Sequence, residues 1–249
     1  MKRDPRKVFI GMAVGSGQDG VTRWETSMSL IRLIASGITE YEFYLCPGGG
    51  CDVAHARNLM LHEARTRTDC GLYGFLDSDV VPTAAHLLKI LSAFKHPDVM
   101  ICAGLYPLKS LALRWSYGLW SEESKRHPGL WEVGEVCTGC LFFRPELTDQ
   151  LVAAYPETEF RVDDARFKGE TCHELFAMGP VAPRDWERNG KPYRRRMSED
   201  FMFSMRVRDQ GHHIYVDPTV QLGHIGSINY LDLHKPGMKK PVAAVATTG

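Results

Sequence analysis

The sequence contains no apolar run approaching the roughly 18 residues needed to cross a bilayer, which excludes a membrane-spanning helix within it. Met1 to Lys7 is charged and lacks the apolar centre of a signal peptide, so a soluble, cytoplasmic protein of bacterial or phage type is expected. Neither sign of charge is in excess. Thirty Lys and Arg balance thirty Asp and Glu, and this gives no support to a dedicated polyanion binder. An even cysteine set is also missing: Cys46, Cys51, Cys70, Cys102, Cys137, Cys140 and Cys172 are an odd number in apolar or Gly-rich surroundings. That weighs against a disulfide framework and for reduced, mostly buried thiols. Cys137 and Cys140 form a C-x-x-C without the second pair a zinc ribbon needs. Internal repeats are absent, and so is a G-x-G-x-R loop after the first strand, which weighs against a nucleotidyltransferase.

What remains is ordinary globular material. The 249 residues, 44% hydrophobic and 24% charged, suit one large α/β domain or two closely fused halves. Val8 to Val14 is a short apolar run ending at Gly15 and Gly17, as expected of a buried parallel strand entering a loop. Met28, Ile31, Leu33, Ile34 and Ala35 mark a helix stopped by Gly37. Tyr41 to Cys46 is a second strand closed by Pro47-Gly48-Gly49-Gly50. A helix over Val53 to Arg65 follows, then a strand from Gly71 to Leu76. Ala84, Leu87, Leu88, Leu91 and Phe94 lie on a helix begun by Pro82-Thr83, and Val99 to Leu105 is a fourth strand. This succession predicts an α/β fold with a doubly wound, mostly parallel sheet. The second half is less regular: an apolar run from Val136 to Phe143, long loops over residues 156–197, a helix opened by Ser198 and stopped by Gly211, and a strand at Ile214 to Val216. Residues 236–249 read as a flexible tail.

Phe75-Leu76-Asp77-Ser78-Asp79-Val80 puts two carboxylates directly after an apolar strand, at the edge where open α/β sheets bind ligands. Two acids one residue apart repel unless a cation joins them. Hard oxygen donors of this kind suit Mn²⁺ or Mg²⁺; a solvated turn in which Asp caps the next helix is the structural alternative.

The order of further elements matters more than any one of them. Ala54-His55-Ala56-Arg57-Asn58 precedes the D-S-D strand. Cys137-Thr138-Gly139-Cys140-Leu141-Phe142-Phe143-Arg144, Ser198-Glu199-Asp200-Phe201, Gly211-His212-His213-Ile214-Tyr215-Val216-Asp217-Pro218 and Leu222-Gly223-His224-Ile225-Gly226 follow it. Over about residues 8–230 this series resembles the GT-A glycosyltransferases, especially the family-2-like group. The resemblance implies a GT-A fold in a single catalytic domain over residues 1–235: a Rossmann-like nucleotide-sugar half (about 8–110) and an acceptor half with the late metal ligand (111–235).

It also implies roles. Asp79, Asp77 and His224 would hold Mn²⁺ or Mg²⁺, with Asp77 acting directly, through water or on the donor ribose. Ala13, Val14, Gly15, Arg57, Asn58, Ser78, Gly139, Cys140 and Ser227 would line the site of a nucleoside-diphosphate sugar, a UDP-sugar being favoured. Arg57 could equally pair with Asp77 or Asp79. Asp200 or Glu199 would take the acceptor's proton, although acids in the first turn after an N-cap Ser also simply complement the helix dipole. Trp186, Arg194, Arg195 and Arg196 belong to a cationic, aromatic segment that would hold an acceptor: a glycan, a protein, or a hydroxymethylated base in viral DNA. Two other functions fit parts of the pattern, a HAD-like phosphatase with Asp77 as nucleophile and a non-catalytic nucleotide-sugar binder.

Overall fold

The computed structural model describes residues 2–15, 40–50, 52–110, 112–181, 187–188, 191–192, 195–226 and 231. The expected helix around residues 28–35, the tail after 235, Ser227, Trp186 and Arg194 lie outside them.

The described chain runs β1 (Asp4–Gly15), β2 (Glu42–Gly50), α1 (Val53–Arg67), β3 (Cys70–Leu76), β4 (Val80–Val81), α2 (Ala84–Ala93) and β5 (Ile101–Leu105). Next come β6 (Tyr117–Glu123), β7 (Trp131–Val136), β8 (Cys140–Phe143), α3 (Pro145–Ala154), β9 (Glu159–Arg161), β10 (Thr171–His173) and β11 (Gly179–Val181). Last are β12 (Glu187–Arg188), β13 (Lys191–Pro192), β14 (Arg195–Met197), α4 (Glu199–Asp209), β15 (Ile214–Gln221) and β16 (Gly223–His224).

Eight strands form one sheet in the order β2-β1-β3-β8-β5-β15-β7-β6. β1, β2, β3, β5, β15 and β6 point one way, and only β7 and β8 oppose them. Helices cover both faces. On one, Ala56, Met60 and Ala64 of α1, Leu147 and Leu151 of α3, and Phe203 and Val207 of α4 share a core with Phe75, Leu141 and Phe143. On the other, Leu87, Ile90 and Leu91 of α2 pack on Val8, Ile10, Leu76, Cys102 and Phe142. The α/β class, doubly wound with most strands parallel in direction, is therefore as the sequence implies.

Several details differ from expectation. β1 begins at Asp4, and β2 continues through Pro47 to Gly50, because its residues keep pairing with Met12 to Gly15. β2 is an edge strand, so the missing Pro47 N–H costs no ladder bond on its open side. The Val136–Phe143 run is two strands broken by a turn at Thr138-Gly139. The second of these, β8, lies antiparallel between β3 and β5. Residues 156–197 are not only loop: β9 pairs with β10, β11 with β14, and β12 with β13. β15 runs on past Asp217-Pro218 with a register shift between Val216 and Gln221, an irregularity that tolerates the proline. Gly211 does stop α4. At φ +78° it lets its own amide and that of His212 return to the Arg208 and Val207 carbonyls.

Candidate active site

The site forms where β3 and β5 end and β8 begins. Leu76 pairs with Cys140 and Ala103 with Leu141, so Asp77 and Gly139 leave the sheet side by side. The Asp77 amide donates to the Gly139 carbonyl at 3.0 Å, and the Gly139 amide donates to Tyr106 Oη at 2.9 Å. A Cβ on Gly139 would collide with that oxygen and stand 3.1 Å from Asp77 Oδ2, which is why glycine is required here. Burial raises the Tyr106 phenol well above its ordinary range, so it stays neutral in this role.

Arg57, on α1, is the electrostatic centre. Its Nη2 donates to Asp77 Oδ1 at 2.7 Å, and its Nη1 donates to Glu199 Oε1 at 2.7 Å and to Asp200 Oδ1 at 3.3 Å. The guanidinium is buried; desolvation alone would depress its pKa, but Asp77, Asp200 and Glu199 outweigh it and raise the pKa further. Asp200 also accepts from Thr138 Oγ1. Burial pushes Asp200 up to about 6, against the pull of Arg57 and with the help of the neighbouring Glu199 charge. Ser198 stands at the N-cap of α4 but makes no side-chain cap bond, while Glu199 and Asp200 fill the first turn and accept from Arg57.

A second cluster lies next to the first. Asp79 is bonded by Lys109 Nζ through Oδ2, and its Oδ1 lies 3.6 Å from His224 Nε2. His224 reaches Asp79 because β16 pairs with β4, His224 opposite Val80, while the Ile225 amide donates to the Asp79 carbonyl at 2.8 Å. Pro107 O is 2.7 Å from His224 Nδ1. A carbonyl only accepts, so Nδ1 carries the hydrogen and Nε2 faces the carboxylate. Burial would raise Asp79, but His224 and Lys109 outweigh it and hold its carboxyl at about 2.

Two of the three expected metal ligands, Asp79 and His224, therefore come together, and both are donors that suit a divalent ion. Asp77 is turned toward Arg57. Among the described residues no three His, Cys, Asp or Glu side chains converge on one point. Asp79 and His224 could hold a divalent ion only with further ligands drawn from substrate oxygens and water.

The other expected residues divide. Ala13, Val14 and Gly15 end β1 beyond the level of Phe75, at this same edge. Ser78 sits in the turn closed by the Val80 amide on the Asp77 carbonyl. Asn58 does not face the site: its carboxamide donates to Phe176 O at 2.7 Å and accepts from the Phe176 amide at 2.9 Å. Cys140 is wholly buried within the sheet, directly after Gly139. Arg195 is held by Glu135 and lies over the Phe201 ring, whereas Arg196 is exposed. Sequence reasoning missed Lys109 and gave Thr138 and Tyr106 no role. For Thr138 a signal existed, its place in the Thr-Gly turn; for Lys109 there was none. A separate cavity of about 450 Å³, lined by Trp120, Glu132, Arg208 and His213, lies at the far end of α4.

The sequence matches no protein-family model and no curated protein. Among solved structures the chain is similar to A197 from STIV, at 17% identity and TM-score 0.51, over 89% of this chain and 86% of that one. It also shows weaker similarity to a glycosyltransferase involved in glycosylation of the major capsid of PBCV-1, at 14% identity and TM-score 0.35, over 60% of this chain and 66% of that one. A 4-diphosphocytidyl-2C-methyl-D-erythritol synthase from Anaerococcus prevotii aligns at 15% identity and TM-score 0.36, over 64% and 80%. At these identities the likeness to A197 is one of fold, and the two weaker alignments carry no argument about activity.

Proposed function

We propose that the protein is a GT-A type glycosyltransferase that moves a sugar from a nucleoside-diphosphate sugar to an acceptor hydroxyl. The observation that carries this reading is charge. Among the described residues, four carboxylates (Asp77, Asp79, Glu199 and Asp200) meet two cations, Arg57 and Lys109, at the ligand edge of the sheet. The two uncompensated charges lie around Arg57, whose partner Asp77 is two residues from Asp79, and a divalent cation at Asp79 would offset them. Mn²⁺ or Mg²⁺ held by Asp79 and His224 would stabilise the charge that grows on the departing nucleoside diphosphate. Asp200 is the acceptor base in this reading. Its raised pKa makes it a better proton acceptor than an ordinary carboxylate, and Thr138 and Arg57 fix its orientation. Arg57 ties the two functions together by bonding Asp77 and Asp200 from one planar group. A UDP-sugar is the favoured donor. Acceptor candidates are a glycan, a protein or a hydroxymethylated base in viral DNA; Arg196, a candidate contact for them, is exposed on β14.

The test is thermal stability with Mn²⁺ across a panel of nucleoside diphosphates and their sugars. A ligand that binds only the folded state raises the melting temperature. The reading requires a metal-dependent rise with at least one sugar nucleotide, lost in Asp79→Ala, followed by release of the nucleoside diphosphate on turnover. Binding without release identifies a non-catalytic binder. No shift with any nucleotide in the presence of metal sinks the reading and favours phosphatase chemistry at Asp77.

A further inference from the structure

The loop after β5 grips both members of the Asp79–His224 pair. Pro107 supplies the carbonyl that fixes His224 Nδ1, and two residues on, Lys109 places its ammonium on Asp79 Oδ2. The neck of this loop is pinned by a bridge between Pro107 and Trp115 and by the Leu108 amide on the Arg114 carbonyl at 2.7 Å. The Lys109 side chain itself is 38% exposed, while Asp79 is 25% and His224 12% exposed. Pro107 is therefore a fixed support, and Lys109 is a long, partly solvated arm anchored two residues beyond it.

From this geometry we infer that Lys109 is a resident counter-ion for Asp79 that yields its place to the divalent ion and then serves the diphosphate of the donor. The inference rests on the glycosyltransferase reading of the same site. An ammonium bonded to Asp79 Oδ2 and a metal ion bound to the same carboxylate repel each other, so the two compete for the carboxylate. Once displaced, the ammonium remains tethered within a side-chain length of the site. The strongest anion then at hand is the diphosphate that the ion carries, and a lysine is a mobile point charge suited to it. Lys109 thus opposes binding of the bare ion and favours binding of the ion with nucleotide. These are effects of opposite sign from one residue, which a merely structural lysine does not produce.

The experiment is Mn²⁺ binding to the full chain, read from the electron paramagnetic resonance signal of free Mn²⁺, followed by titration of the Mn²⁺-loaded protein with UDP. In Lys109→Gln, Mn²⁺ should bind about two- to fivefold more tightly, the range expected on losing a half-exposed ion pair. UDP should bind the loaded variant more weakly than it binds the loaded wild type. Lys109→Arg, which keeps the charge, should stay near wild type for Mn²⁺, and its melting temperature checks that the loop is intact. Equal or weaker Mn²⁺ binding by Lys109→Gln, or unchanged UDP binding, overturns the inference while leaving the metal site standing. Absence of Mn²⁺ binding in wild type and variant alike overturns the metal site itself.

Discussion

Arg57 bonds three carboxylates from inside the protein, so its removal does more than delete contacts. Breaking a buried ion pair from one side typically costs about 3–5 kcal/mol, and Arg57→Ala should lose at least that much in urea unfolding. Arg57→Lys should rescue little, since an ammonium cannot hold Asp77 and the Glu199–Asp200 pair in one plane. Asp200 behaves in the opposite sense. Its folded pKa of about 6 lies above the ordinary value of 3.8, so its protonated form favours folding. The stability it contributes is complete below about pH 4 and is lost as pH rises through about 6. Asp200→Asn should therefore be the more stable protein at about pH 8, by on the order of 2 kcal/mol, with no advantage near pH 4. The same variant should lose transfer activity, and wild-type kcat/KM should fall as pH drops below about 6. A wild-type rate that is flat from about pH 5 to 8 removes Asp200 as base. Much of this was readable from residue order. The D-S-D after an apolar strand, the Glu-Asp turn and the late His all reach the site, and an Arg57–Asp77 pair was among the sequence's own alternatives. Asn58 was misplaced because successive helical residues point about 100° apart, and Arg57's neighbour necessarily turns away to Phe176. Lys109 meets Asp79 across thirty positions, with nothing in Pro107-Leu108-Lys109 to mark it.

Among the elements, β8 decides the site. Apolar runs and turn residues revealed β1, β3, β5 and their helices, because period and punctuation are local properties. That Cys140–Phe143 inserts between β3 and β5 is not local: a four-residue apolar strand looks the same whichever neighbours it finds. Its insertion brings the Thr138-Gly139 turn against Asp77 and Asp200. Gly139→Ala should thus damage both stability and chemistry, since Tyr106 is buried and cannot retreat from the added methyl. Overpacking of this kind costs about 1–3 kcal/mol. Tyr106→Phe removes the nearest colliding atom, the oxygen, along with the bond to the Gly139 amide, but leaves Cζ 2.6 Å from the added methyl, so in the double variant only a small part of the loss should return. A double-mutant cycle in urea should show a coupling of about 0.5–3 kcal/mol. Strict additivity would mean that the turn and Tyr106 do not meet as described.

At the scale of the molecule, strand order sets what can fold alone. The first half supplies β1, β2, β3 and β5, but β3 and β5 do not touch as sheet neighbours; β8 lies between them, and β15 covers the far side of β5. Phe143 alone packs against Tyr73, Phe75 and Phe203, drawing β3 and α4 into one core. A chain ending at residue 110 would leave both edges of β5 unpaired and the α1 face of the sheet without α3 and α4, exposing ladder groups and apolar surface at once. Such a fragment should show no cooperative urea transition by circular dichroism. The full chain should unfold in one step, with tryptophan fluorescence and far-ultraviolet circular dichroism coinciding. The site depends on this interleaving, since Arg57, Asp77 and Asp79 precede residue 110 whereas Thr138, Asp200 and His224 follow it. Two separated transitions, or a stably folded 1–110 fragment, would mean that the halves fold independently and that the site is assembled only when they dock.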